Sequence, residues 1–475
     1  MKGDFRTLLK KYCLESSILG LKYFYLYPDW ISRTFWATNM LIIFFLACYL
    51  TMMLYGRFQE MPTRITIENQ YEPVKDLPYP AITICSPNQI TLSALMHFNK
   101  TLVNRNLTTN IETIIPNLLG YYKRIVDYNM DQLQLLQSLI VLNRYTIPEV
   151  MTLLPQKCDQ FLKMCYFQKQ LYPQCKELFV PILTTHGLCC VFNSVYYLRD
   201  MKRNEENREF VSHSVKATGL ASALTVIADY QPEDALDGTI VNAGALRVLF
   251  TDCTEFPADD ISNMVVTNAE TFHVIHATYT YCSDEVKQLP VSSRKCYLED
   301  EHKLRFFREY RNSDCDQLCL VTGVEQACGC LLFHLPGLRV DRACDVNALP
   351  CILKVKMHLY NWLPPGGCDC PRDCESRRYS VEMSTGNFRA LPYLLQDLEI
   401  DFSLNKSTSI MHFYFPKSVY VKQKQETVMS LISLASNLGG VFGLCIGCSA
   451  ISVTELCFYI YVAIRNYIKT KIRRH

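Results

Sequence analysis

The sequence lacks an excess of charge of either sign: 48 Lys and Arg stand against 46 Asp and Glu, a formal net of +2. A chain so balanced does not hold nucleic acid by bulk charge, and its ordinary apolar content excludes a disordered polymer. It has no internal repeat, low-complexity stretch or long linker. It also lacks a glycine-rich phosphate loop and a nucleophile elbow, so an enzyme is not expected. No cofactor or resident metal is expected either.

Charge is missing locally as well. Phe35 to Tyr55 contains no charged residue and is bracketed by Arg33 and Arg57. That stretch is long enough to cross a bilayer once, whereas a cleaved signal has a shorter apolar region nearer the start. A second apolar run, Val428 to Ile464, has one charged side chain, Glu455. As one straight helix it would measure about 55 Å against a hydrocarbon core of roughly 30 Å.

The second run also carries Gly439, Gly440, Gly443 and Gly447, then the small-residue step Gly447-Cys448-Ser449. Such residues either let membrane helices pack closely or mark a break in the helix that faces a water-filled path. The intramembrane acid favours the path. Glu455 is then expected along the inner conduction route, with a hydrogen bond to another helix as its alternative role.

Basic residues set the expected orientation. Lys2, Arg6, Lys10, Lys11, Lys22 and Arg33 precede the first span, and Arg465, Lys469, Lys471, Arg473 and Arg474 follow the second, which places both termini in the cytoplasm. The resulting plan is a cytoplasmic segment 1–34, a first span 35–55, an extracellular domain 56–427, a second span 428–464 and a cytoplasmic tail 465–475. Three glycosylation sequons, at Asn99, Asn106 and Asn405, all fall in the extracellular part.

Of 23 cysteines, Cys13, Cys48, Cys445, Cys448 and Cys457 lie outside that domain, leaving 18 within it. An even number in an oxidising compartment is expected to give up to nine disulfides with no remaining thiol, in preference to zinc ligation by Cys328, Cys330, Cys368, Cys370 and Cys374. Spacing does not reveal the connectivity. Strands are expected at 81–85, 246–250, 272–281, 379–383 and 410–415, and helices at 93–104, 125–143 and 299–312. The fold class is therefore membrane α+β: a β-rich platform with disulfide-pinned helical elaborations between two spans.

Four segments carry a resemblance to a known family. "PYPAITIC" (78–85) resembles a Pro-Phe-Pro-Ala-Val-Thr-Ile-Cys segment just outside a first span, and "GLCCVFN" (187–193) a Gly-x-Cys-Tyr-x-Phe-Asn motif. "DCDQLC" followed by "ACGC" resembles a thumb cysteine series, and "SNLGGVFGLCIGCS" a pore signature. The chain resembles the epithelial sodium channel/degenerin family, and within it the insect pickpocket channels. The resemblance implies a trimer, homomeric or built with related subunits, with palm, finger and thumb regions in the ectodomain. It implies a plasma-membrane channel permeable to Na⁺, independent of voltage and blocked by amiloride-type compounds, in a sensory or epithelial role.

By the same resemblance, Gly447, Cys448 and Ser449 form the selectivity filter, Ser436 occupies the gating position named for degenerins, and Gly443 matches the amiloride-binding position. The second span is then broken at the Gly-x-Ser step. One departure concerns the cytoplasmic His-Gly pair, which reads Leu19-Gly20 here. Loss of that histidine leaves room for a non-conducting modulatory subunit or receptor of the same architecture. A two-span ATP-gated channel shares the topology, but its pore signature differs.

Overall fold

The computed structural model describes residues 2–18, 20–27, 29–60, 63–103, 110–122, 128–198, 210–258, 262–361, 369–387 and 406–472. The chain divides into two compact units. One comprises Met1–Thr66, Ser283–Arg294 and Gln425–His475, and the other comprises Ile67–Cys282 and Lys295–Lys424.

The larger unit is built on strands. In chain order they are β1 (Thr63–Pro73), β2 (Ala81–Cys85), β3 (Leu162–Phe167), β4 (Gln170–Tyr172), β5 (Phe179–Thr184), β6 (Gly187–Phe192), β7 (Leu224–Asp229) and β8 (Leu246–Thr251). There follow β9 (Asn263–Val265), β10 (Ala269–Cys282), β11 (Cys296–Tyr297), β12 (Arg372–Asp373), β13 (Ser376–Asn387), β14 (Thr408–Tyr414) and β15 (Val419–Thr427). An eight-stranded sheet runs β1-β15-β10-β14-β7-β3-β4 with β13 also paired to β10, and a five-stranded sheet runs β5-β6-β2-β8-β9.

Burial alternates along β10. Thr271, His273, Ile275 and Ala277 are buried while the residues between them are less so, the alternation that a sheet with one covered face requires. Parallel pairing with β14 sets Phe272 opposite His412 and His273 opposite Phe413, and both ring pairs stack, at 5.0 and 4.7 Å between centroids. β2 is buried along its whole length because β6 and β8 flank it on either side.

Tyr79, fixed between Pro78 and Pro80, ties the core together. It is 1% exposed, its hydroxyl donates to the Phe413 carbonyl at 2.8 Å, and its ring meets Phe167, Phe192 and Phe415 edge-on. A second apolar cluster lies among the helices, where Leu95, Phe98, Leu133, Leu136, Leu139, Val150, Val321, Val324 and Phe333 are buried together.

The expected strands are all present, as are helices at Leu92–Thr101 and Met130–Leu142. The helix expected over 299–312 is absent: that stretch is a series of turns, and the helix starts at Asn312 and runs to Cys328. Leu304, Phe307 and Tyr310 are buried at every third position, which imitates a helical face. Phe306, at φ +76, breaks any such helix, and the Glu301 carboxylate takes the Leu298 N–H instead.

Seven disulfides join Cys85–Cys189, Cys158–Cys190, Cys165–Cys175, Cys296–Cys374, Cys315–Cys370, Cys328–Cys351 and Cys330–Cys344, and Cys319 is also disulfide-bonded. Cys368 lies outside the described residues. Complete pairing, however, does not hold, because Cys253 and Cys282 are buried thiols. Cys253 instead lies against the Asp252 carboxylate, 3.5 Å from its Oδ1.

In the smaller unit one helix, Trp30–Glu60, contains the expected first apolar span. Among the described residues its stretch Trp30–Gln59 is the one single helix long and apolar enough to cross a membrane. The second apolar run is two helices, Leu431–Ile446 and Ala450–Ile472, and the first packs against Trp30–Glu60.

Candidate functional site

The two C-terminal helices meet at 73° across Gly447, Cys448 and Ser449, so no single helix crosses this region. Each residue of the step has a local reason. Gly447 is left-handed at φ +70, a conformation that favours glycine, and its N–H closes on the Gly443 carbonyl at 3.0 Å. Ser449 begins the second helix: its Oγ accepts from Ser452 N–H, and Ser452 Oγ accepts from Ser449 N–H at 3.1 Å. Cys448, between them, is half-buried.

The helix Leu431–Ile446 has two unlike faces. Leu434, Leu438, Val441, Phe442, Cys445 and Ile446 fall on one side of the helix and are its half-buried positions, and the helix packs against Trp30–Glu60. Ser436, Gly439, Gly440 and Gly443 are exposed, and a Cβ built on Gly439 or Gly440 would meet nothing within 4 Å. A glycine inside a helix costs about 1 kcal/mol relative to alanine, so three on one open strip are not explained by packing within this chain.

Glu455 is half-buried one turn beyond the break. Its Oε2 accepts both the backbone N–H and the hydroxyl of Ser17, each at 3.0 Å, and Ser17 Oγ also lies 2.6 Å from Ser452 Oγ. Further along the same helix face, the Tyr459 hydroxyl donates to Glu15, and Tyr12 and Tyr459 meet edge-on at 5.3 Å. The N-terminal helix, Lys2–Glu15, thus packs beside Ala450–Ile472, and Ser17 continues that contact past its end.

Gly20 lies two residues beyond Ile18. It is buried at φ +99, and a Cβ there would sit 2.4 Å from Met40 Sδ. Leu19 lies outside the described residues, as do the sequon residues Asn106 and Asn405. Asn99 is exposed on the helix Leu92–Thr101.

Away from the break, titratable groups concentrate in the sheet unit. His412 Nε2 is 2.8 Å from Glu270 Oε1, and its Nδ1 is 2.9 Å from Thr225 Oγ1. Burial pulls His273 and His334 down to about 3. Asp314 is pushed up by burial first and then by Glu255, and Glu255 is pushed up by burial first, with Asp252 and Asp373 adding to it. Spacing in the sequence offered no sign of these pairs.

The chain matches the amiloride-sensitive sodium channel family over residues 12–459. It belongs to this family. The members are ion channels and not enzymes, which accords with the lack of catalytic motifs. The sodium channel protein Nach of Drosophila ananassae is 29% identical, with 98% of this chain and 89% of the relative covered. Pickpocket protein 28 of Drosophila melanogaster is 24% identical over 98% of this chain and 80% of its own length. Acid-sensing ion channel 4-B of Danio rerio is 24% identical over 93% and 73%. The larger unit is accordingly the β-rich, disulfide-linked ectodomain of a membrane channel of a family that assembles as oligomers in the plasma membrane.

Proposed function

We propose that this chain is a subunit of a trimeric, amiloride-sensitive, voltage-independent channel permeable to Na⁺, with two spans, 35–55 and 428–464, and both termini in the cytoplasm. Segments 1–34 and 465–475 are then cytoplasmic and 56–427 extracellular. The observation that carries the reading is the open strip of Ser436, Gly439, Gly440 and Gly443, ending at a sharp break. Three copies turned so that these strips face a common axis leave room for a narrow aqueous path.

In that path, Gly447, Cys448 and Ser449 form the filter. Backbone freed from helical bonding is tolerated at membrane depth where it lines water, and carbonyl oxygens are suitable ligands for a small hard cation. Gly443 receives the blocker and Ser436 lies at the gate. Glu455 bears on conduction through its hold on Ser17. The channel needs no cofactor, and Na⁺ is the permeant ion.

A second reading is favoured by Leu19: without the family histidine beside Gly20, the chain serves as a modulatory subunit that conducts only with related partners. Expression alone and with related subunits, recording amiloride-sensitive current while external Na⁺ is exchanged for K⁺ and then a large organic cation, distinguishes the two. Current from the chain alone supports the first reading, and current only in combination supports the second. Silence in every combination, with the protein at the surface, rejects both.

A further inference from the structure

The ectodomain holds three buried sulfurs together. Cys282, Cys296 and Cys374 have Sγ atoms all within 4.8 Å of one another. Cys296 and Cys374 are joined, while Cys282 is a thiol whose Sγ lies 3.3 Å from the Cys374 carbonyl oxygen. A thiol against a disulfide is the geometry from which exchange proceeds.

The sequence adds a reason why exchange matters here. Cys282 ends β10 and Cys296 begins β11, so the two cysteines bound the segment Ser283–Arg294. Within the smaller unit that segment grips the end of β15: Ser283 N–H donates to the Gln425 carbonyl at 2.9 Å, and Gln425 Nε2 to the Arg294 carbonyl at 3.4 Å. The Thr427 hydroxyl donates to Glu285 at 2.7 Å, and the helix Leu431–Ile446 begins four residues later.

We infer that Cys282 and the Cys296–Cys374 disulfide form an exchange device that moves the covalent anchor from one end of the segment 283–294 to the other. Cys282 gives up its proton and its sulfur attacks Cys374 Sγ. The Cys282–Cys374 bond forms, the Cys296–Cys374 bond breaks, and Cys296 leaves as a thiolate that takes up a proton. One disulfide and one thiol are present before and after, so no oxidant or reductant is consumed. The attack falls on Cys374 because the Cys282 sulfur is seated at that residue's carbonyl. Burial of all three sulfurs keeps the exchange slow until the segment moves, and so ties it to motion at the root of β15.

The inference stands on sulfur geometry and does not depend on the proposed conduction. Full-length protein in detergent is incubated at pH 6 and at pH 8.5, quenched with excess N-ethylmaleimide in denaturant at mildly acidic pH, and mapped by non-reducing mass spectrometry. Expected is a Cys282–Cys374 peptide, with alkylated Cys296, whose rate of appearance rises about tenfold per pH unit as the thiolate fraction grows. Cys282→Ser abolishes it. Cys253→Ser leaves it unchanged, since burial pushes the Cys253 thiol up to about 12. Cys282 alkylated with Cys296–Cys374 intact at every time point overturns the inference, as does a Cys282–Cys296 product.

Discussion

Ser17 donates twice to one oxygen of Glu455, through its backbone N–H and its hydroxyl, each at 3.0 Å. The one charged side chain of the run Val428 to Ile464 is thereby held by a segment 438 residues away in sequence. The hydroxyl's charge-assisted bond is worth about 1.5–3 kcal/mol, and the N–H survives any side-chain change. Ser17→Ala is expected to lower basal current by roughly 10-fold relative to surface protein, which corresponds to about 1.4 kcal/mol. Glu455→Ala should do likewise. The double variant should be no worse than either single one, and additive losses would show that the two residues act separately.

Gly20 is predicted to resist substitution for two separable reasons. Its φ of +99 strains any side chain, and its Cβ would collide with Met40 Sδ at 2.4 Å. Gly20→Ala should reduce surface expression. Adding Met40→Ala should restore only part of it, because the steric conflict is relieved while backbone strain of about 1–3 kcal/mol persists. Full rescue by the second substitution would mean that the backbone at Gly20 is relaxed.

Two sets of ectodomain groups push stability in opposite directions with pH. His273 and His334, held near 3 by burial, stay neutral while the unfolded chain takes up protons below about 6.5, so their contribution is present above that pH and is lost on acidification toward 3. Each contributes a slope of at most about 1.4 kcal/mol per pH unit. Asp314 is raised, so its contribution is present at low pH and lost as pH rises. Thermal unfolding of the detergent-solubilised protein between pH 5 and 8 should show a shallower loss toward pH 5 in His334→Gln. Asp314→Asn should gain stability relative to the native chain as pH rises toward 8. Parallel curves for all three proteins would contradict both assignments.

At the break, the proposed roles separate by side chain. Ser449→Ala removes a cap at a cost of about 1 kcal/mol and leaves the path open, so current should persist. A residue bulkier than serine at 449 should alter Na⁺/K⁺ selectivity or abolish current. Gly443→Cys should weaken amiloride block at least 10-fold, and an unchanged blocking concentration would remove Gly443 from the blocker site.

Much of this architecture is legible in the sequence because short-range patterns specify it. The uninterrupted apolar "AITIC" of β2 reports its burial directly, whereas β10 buries Thr271 and His273 and leaves Phe272 and Val274 half-buried, so its apolar residues do not mark its covered face. The stretch 299–311 misleads as well, since turns that bury Leu304, Phe307 and Tyr310 reproduce a helical spacing. What spacing does not carry is long-range pairing. An even cysteine count gave no warning that Cys253 and Cys282 remain thiols. The bond from Ser17 to Glu455 was hidden too, although an apolar-run acid demands a donor and the Ser16-Ser17 pair supplies one.

In the proposed channel the open strip of Leu431–Ile446 lines the sodium path. Ser436 is exposed on that strip, and a larger side chain there is expected to overpack a closed arrangement by about 1–3 kcal/mol per copy while a widened one accepts it. Three copies would then shift even a closed-favouring equilibrium far toward open, at about tenfold per 1.4 kcal/mol. The decisive measurement is the reversal potential of current through Ser436→Val channels, expressed with and without related subunits, as external Na⁺ is replaced by K⁺. Constitutive current is expected, blocked by amiloride, with a reversal that moves to more negative potentials on replacement. Surface-labelled protein that carries no current above background in any combination, or a current whose reversal does not move, would contradict this role for the strip.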